Sequence, residues 1–129
     1  MSKAPLFCLA AAALCLVGTV TYAQTPPGGP LLRIELPDGK LVANFVNVAG
    51  TANREVPEHT HRGVEIGYVL EGSIVDFKIG DAPPKTINPS EGFVVPANTP
   101  HSANWGPNGM KGLAIMVLEK DKPAFIPVP

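Results

Sequence analysis

From Leu31 onward the chain runs in short stretches of apolar or alternating residues, each closed by residues that turn the backbone. Leu31 to Leu36 ends at Pro37-Asp38-Gly39, Leu41 to Val48 ends before Gly50, Val64 to Leu70 ends at Glu71-Gly72, and Ser73 to Ile79 ends at Gly80-Asp81. Lys85 to Asn88, Gly92 to Val95, Lys111 to Glu119 and Ala124 to Val128 continue the series. Short runs of period-two patterning between Gly, Pro, Asn and Asp predict about eight to ten strands and no helix. Glu71-Gly72 and Gly80-Asp81 separate runs short enough to fold back on each other, which predicts a hairpin at each. Val64 to Leu70 is apolar on both parities apart from Glu65 and Gly67, the pattern of a strand covered on both faces. Glu65 is out of place in such a strand. A carboxylate buried there without a partner is costly, so Glu65 needs either a cation or a position nearer the surface.

Composition agrees with an all-β domain: 15 Pro and 13 Gly, scattered through 129 residues, are too many for a helical bundle. Ten Lys and Arg against eleven Asp and Glu give a formal charge of −1 with no run of one sign. That leaves no electrostatic footprint for nucleic acid, which is not an expected partner. The N-terminus is different in kind. Lys3, the apolar run Leu6 to Val20 and the small residues Thr21 and Ala23 have the layout of a secretory signal cleaved before Gln24. The run is shorter than the roughly 20 residues of a membrane-spanning helix. We therefore expect residues 1–23 to be a signal peptide, 24–30 a flexible Pro/Gly leader and 31–129 a single folded domain. The protein is expected to be exported, periplasmic or secreted, with no membrane span after cleavage. Cleavage removes Cys8 and Cys15, the two cysteines of the chain. A small domain without disulfides draws its stability from its core, a metal or a partner subunit. Sheet edges that need covering make a homodimer one expectation.

Three histidines remain, and two of them stand one residue apart in Glu58-His59-Thr60-His61. Side chains at i and i+2 of an extended segment point to one face, and Glu65 shares their parity. Two imidazoles and a carboxylate aimed at one region suit a divalent transition metal. The ordinary alternative is a solvated strand edge, with Glu65 paired to Arg62.

His59-x-His61-x-x-x-Glu65, with Gly72 after six further residues, resembles the first conserved motif of the cupin superfamily, and Pro96-x-Asn98-x-x-His101 resembles the second. The two cover residues 57 to 104. The resemblance implies a double-stranded β-helix, a small barrel of jelly-roll type. It also implies one divalent transition metal ion (Fe, Mn, Ni, Co, Cu or Zn) held by His59, His61, Glu65 and His101. The chain departs from the pattern at three glycines: Asn53 stands near the first motif, and Ser90 and Asn98 occupy glycine positions of the second. Asn tolerates a left-handed backbone, so Asn98 is expected to make the same turn, with Gly92 compensating for Ser90.

Three neutral imidazoles and one carboxylate around a divalent ion leave a net positive charge, which favours an anionic or chelating small-molecule guest. Candidate pocket residues are Arg62, beside the ligands and suited to a carboxylate, and Phe93, Trp105 and Met116 on neighbouring runs. Each has an ordinary alternative, surface for Arg62 and core for the others. Trp105, beside the turn-forming Gly106-Pro107-Asn108-Gly109, is placed to roof a pocket. Tyr68 is expected in the core and Glu71 in a solvated turn, so no acid or base distinct from the ligands is evident. Two functions follow. One is a metal-dependent enzyme acting on a small anionic or aromatic compound, in the manner of the quercetin dioxygenase type of cupin, with decarboxylase, lyase or isomerase chemistry next. The other is a non-catalytic metal- or small-ligand-binding protein of the cell envelope.

Overall fold

The computed structural model describes residues 30–129, and the expected signal peptide and the leader as far as Gly29 lie outside the described residues. Eight strands make up the regular structure: β1 (Leu32–Glu35), β2 (Leu41–Gly50), β3 (Glu55–Thr60), β4 (Gly63–Ile79), β5 (Lys85–Ile87), β6 (Gly92–Val95), β7 (His101–Glu119) and β8 (Ile126–Pro127). No helix occurs among the described residues.

Strands β4 and β7 are much longer than the runs in the sequence suggest. They pair antiparallel along most of their length, and each serves both halves of a continuous sheet. In one half the order is β1-β2-β7-β4-β6, using the C-terminal part of β7 and the N-terminal part of β4. In the other it is β8-β3-β7-β4-β5, using the remaining parts of the same two strands. Strands shared in this way curl the sheet over its own inner face, giving the expected double-stranded β-helix.

The curl requires a corner, and the corner corrects one expectation. Glu71-Gly72 is not a hairpin: β4 runs through it as a bulge, with register shifts between Val69 and Glu71 and between Gly72 and Ile74. Gly72 has φ +70°, and a Cβ there would lie 2.0 Å from the carbonyl oxygen of Gly109, whose own φ is +75°. The two long strands thus turn together, backbone against backbone, where neither tolerates a side chain. Gly106 to Gly109 is accordingly part of β7, with Pro107 and Asn108 exposed. Gly80-Asp81 does close a hairpin, between β4 and β5.

Val64 to Leu70 is covered on one face only. Gly67 and Val69 are buried, whereas Ile66, Tyr68 and Leu70 are 44%, 45% and 50% exposed. Tyr68 is therefore a surface residue and not a core one. In register across five strands, Leu32, Phe45, Ile115, Ile66 and Val94 form one row of an apolar outer face. The inner face holds the core: Val69, Ile74, Phe77, Ile87, Val95 and Trp105 are all buried.

Asn53, Ser90 and Asn98, the three residues standing where the motif pattern carries glycine, have φ of +57°, +69° and +57°. Each takes up the left-handed geometry itself. Gly92 is not among the residues of positive φ, so Ser90 is not compensated by its neighbour.

Candidate metal centre

Three separate segments bring the cluster together. His59 lies in β3 directly opposite His101 at the start of β7. His61 follows β3 in the short link to β4, and Glu65 is the third residue of β4. The left-handed turn at Asn98 locks the two motifs to each other, because the Asn98 N–H donates to the His61 carbonyl at 2.8 Å. His59, His61 and His101 are 6%, 3% and 3% exposed. Their ring centroids lie 4.1 to 4.8 Å apart, and one donor nitrogen from each falls within 4.8 Å of the others. Glu65 completes the group: one carboxylate oxygen is 3.2 Å from His61 Nε2 and 3.3 Å from His101 Nε2.

On the far side of each ring, Nδ1 meets a main-chain carbonyl. His59 Nδ1 donates to Pro57 O at 2.8 Å, His101 Nδ1 to Thr99 O at 3.0 Å and His61 Nδ1 to Ala124 O. A carbonyl only accepts, so His59 and His101 carry their proton on Nδ1 and keep Nε2 open. His61 instead has an acceptor at each nitrogen, Ala124 O at Nδ1 and a Glu65 oxygen 3.2 Å from Nε2. His101 Nε2 is buried and makes no hydrogen bond, its contact with Glu65 being close but not aligned as one. Three imidazoles and one carboxylate aimed at one region, with the outer ring nitrogens on carbonyls, are a donor set that fits a divalent transition ion.

The electrostatics are those of a mutually dependent group. Burial opposes ionisation of Glu65, but its contacts with His101 and His61 more than offset this and hold the carboxyl down at about 2. Burial also works against a charged His61, yet Glu65 and the Ala124 carbonyl prevail and raise its pKa. His59 is lowered, burial outweighing the Pro57 carbonyl. Protons therefore compete for His61 from above the usual imidazole value, while Glu65 stays ionised far into acid. Bound metal is expected to be complete at pH 8 and lost as pH falls below about 6. Elemental analysis after gel filtration at stepped pH checks this, and full occupancy at pH 4 would contradict it.

Beside the cluster lies a cavity of about 170 Å³. His59, Glu65 and His101 line it, together with the apolar Val48, Val56, Ile74, Phe77 and Trp105. Phe93 and Trp105, proposed from the sequence, both line it. Phe93 fits because Gly67 is opposite: a Cβ on Gly67 would lie 2.0 Å from the Phe93 ring. Arg62 and Met116 are not among the lining residues. Arg62 is exposed and its guanidinium faces Glu119 at 3.8 Å, so it neither reaches the cavity nor pairs with Glu65. Met116 stands opposite Glu65 in register but is only half-buried. Glu71 is exposed as expected, but it lies in the bulge of β4 and not in a turn, and it is bonded to Lys111 at 2.7 Å. The sequence pattern did not reveal Ala124 and Phe125, which reach the cluster from the C-terminal segment.

Compared with known proteins, the sequence matches a family model described as Cupin domain over residues 48–116. No curated protein matches it. Three solved structures illustrate the likeness in fold. An uncharacterized conserved protein with a double-stranded β-helix domain from Klebsiella pneumoniae is 15% identical, over 83% of this chain and 92% of that one, with a TM-score of 0.57. KdgF from Halomonas sp. is 21% identical, over 77% and 86%, with a TM-score of 0.54. The DMSP lyase DddQ from Ruegeria pomeroyi DSS-3 is 22% identical, over 69% of this chain, with a TM-score of 0.56. The match spans 43% of the lyase, less than half its length.

Proposed function

Because this chain belongs to the cupin family, whose domain covers more than half of its residues, we propose that it is an exported metal-dependent enzyme acting on a small anionic or aromatic compound, with oxygenation of the quercetin dioxygenase type as its chemistry. The observation that carries this is that His59, Glu65 and His101 of the cluster line an otherwise mostly apolar cavity. His59, His61, Glu65 and His101 would hold one ion of Fe, Mn, Ni, Co, Cu or Zn. Such an ion, when bound, supplies a Lewis acid and a template for an oxygen-bearing guest. The carboxylate of Glu65 cancels one of two positive charges and leaves a net attraction for a carboxylate, enolate or catecholate. Phe77, Phe93 and Trp105 exclude water and receive the apolar body of the guest. The cavity is smaller than the roughly 300–1,000 Å³ typical of drug-sized ligands, which favours a single-ring catechol or a short carboxylate over a flavonol.

Among the lining residues only His59, Glu65 and His101 have acid or base side chains. No separate acid or base among the described residues lines the cavity, which supports oxygenation over lyase, decarboxylase or isomerase chemistry. The same observation favours one alternative, a non-catalytic metal- or small-ligand-binding protein of the cell envelope. Oxygen uptake by the purified chain, loaded in turn with each metal and offered catechols, flavonols and short carboxylates, separates the two. Turnover with a redox-active ion is expected, greatest for the single-ring compounds. Zinc as the sole native metal with no turnover would leave the binding protein. The apolar outer face of Leu32, Ile66, Tyr68 and Val94 supports a homodimer, and a monomer by light scattering would remove that part.

A further inference from the structure

Two of the three histidines fix their own tautomers locally, His59 on Pro57 and His101 on Thr99, each through the carbonyl two residues earlier. For His61 the acceptor is Ala124 O, 63 residues away in sequence. The next residue, Phe125, lies flat on the His59 ring, with centroids 4.0 Å apart and planes 17° from parallel. Ile126 and Pro127 then pair with Thr60 and His59, and the Val128 N–H donates to Glu58 O at 3.2 Å. One short segment thus touches two rings of the cluster and the backbone that carries them. It is lightly held otherwise: β8 has two residues, and Phe125 is 45% exposed.

A neutral imidazole has two tautomers, and His61 has an acceptor for each. With the proton on Nδ1 it donates to Ala124 O and keeps Nε2 open. With the proton on Nε2 it would donate to the Glu65 oxygen 3.2 Å away, and both groups would be closed to a metal. We propose that Ala124–Pro127 is a positioning strap of the metal centre: the Ala124 carbonyl selects the open tautomer of His61, and the Phe125 ring holds the plane of His59. The proposal rests on the cluster being a metal centre. Carbonyl partners of ligating histidines are commonly worth about 10–100-fold in metal affinity, and here one of them is supplied by a separate segment.

The test compares the full chain with a chain ending at Lys122 and with Phe125→Ala and Phe125→Tyr. Zn²⁺ affinity is read by chelator competition, and the His61 tautomer of the metal-free protein at pH 8 by ¹⁵N NMR. In the intact chain His61 is expected as the Nδ1–H tautomer. The shortened chain is expected to bind Zn²⁺ about 10–100-fold more weakly, with the His61 proton moved to Nε2. Phe125→Ala should weaken binding several-fold without moving that proton, and Phe125→Tyr should restore it. An Nε2–H tautomer in the intact chain overturns the proposal even if the shortened chain fails to fold. So does unchanged Zn²⁺ affinity in a folded shortened chain. An intact chain that binds no Zn²⁺ at all overturns the metal centre instead.

Discussion

His61→Ala is expected to release most of the bound metal and to lower the melting temperature of the metal-loaded protein by roughly 10 °C or more. The substitution removes one of three buried imidazoles and the 3.2 Å partner of Glu65. Two nitrogens and one oxygen remain, a set that holds a divalent ion far less tightly. Each hundredfold loss of affinity removes about 2.7 kcal/mol of linked stability at saturating metal. The effect is carried by the ion, so wild type and variant are expected to differ much less after a chelator. Elemental analysis and calorimetry with and without chelator check both statements, and an unchanged metal content would remove His61 from the ligand set.

Gly72→Ala is expected to cost about 2–4 kcal/mol, a large part of the 5–15 kcal/mol that stabilises a typical domain. Two costs combine at this position. The left-handed φ of +70° strains any residue with a Cβ, by about 1–2 kcal/mol. The added atom also meets the Gly109 carbonyl at 2.0 Å, and moving backbone there disturbs the corner of both long strands. Gly80→Ala separates the two, since Gly80 has φ +53° with only the Thr99 methyl nearby at 3.7 Å. It is expected to cost about 1 kcal/mol, the strain alone. Urea unfolding of both variants measures the difference, and equal losses would mean that the close approach to Gly109 is unimportant.

The corner also shows where the sequence was ambiguous. A glycine of positive φ after an apolar run serves a hairpin or a bulge equally well, and only the presence of Gly109 opposite Gly72 decides between them. For the same reason β4 and β7 looked like shorter strands. Only the histidine end of β3 was read as extended; its first half escaped notice because Glu55, Pro57 and Glu58 break the alternation, and the strand bulges between Val56 and His59. Val64 to Leu70 looked buried on both faces because an exposed apolar face has the same pattern as a covered one. The four cluster residues were legible because strand parity and motif spacing both constrain side chains. Asn98 was legible for a related reason: few residues other than glycine accept its φ. Ala124 was not, since it contributes a carbonyl that every residue possesses, brought in by a pairing that leaves no local pattern.

X-ray absorption at the zinc edge of the chain loaded with one equivalent of Zn²⁺ reads the coordination itself. Scattering from three imidazole rings and one carboxylate oxygen, with nearest atoms at about 2.0–2.2 Å, is the expected spectrum. Zinc surrounded by water or carboxylates without imidazole scattering, or failure to retain one ion per chain, would contradict a metal centre built from His59, His61, Glu65 and His101.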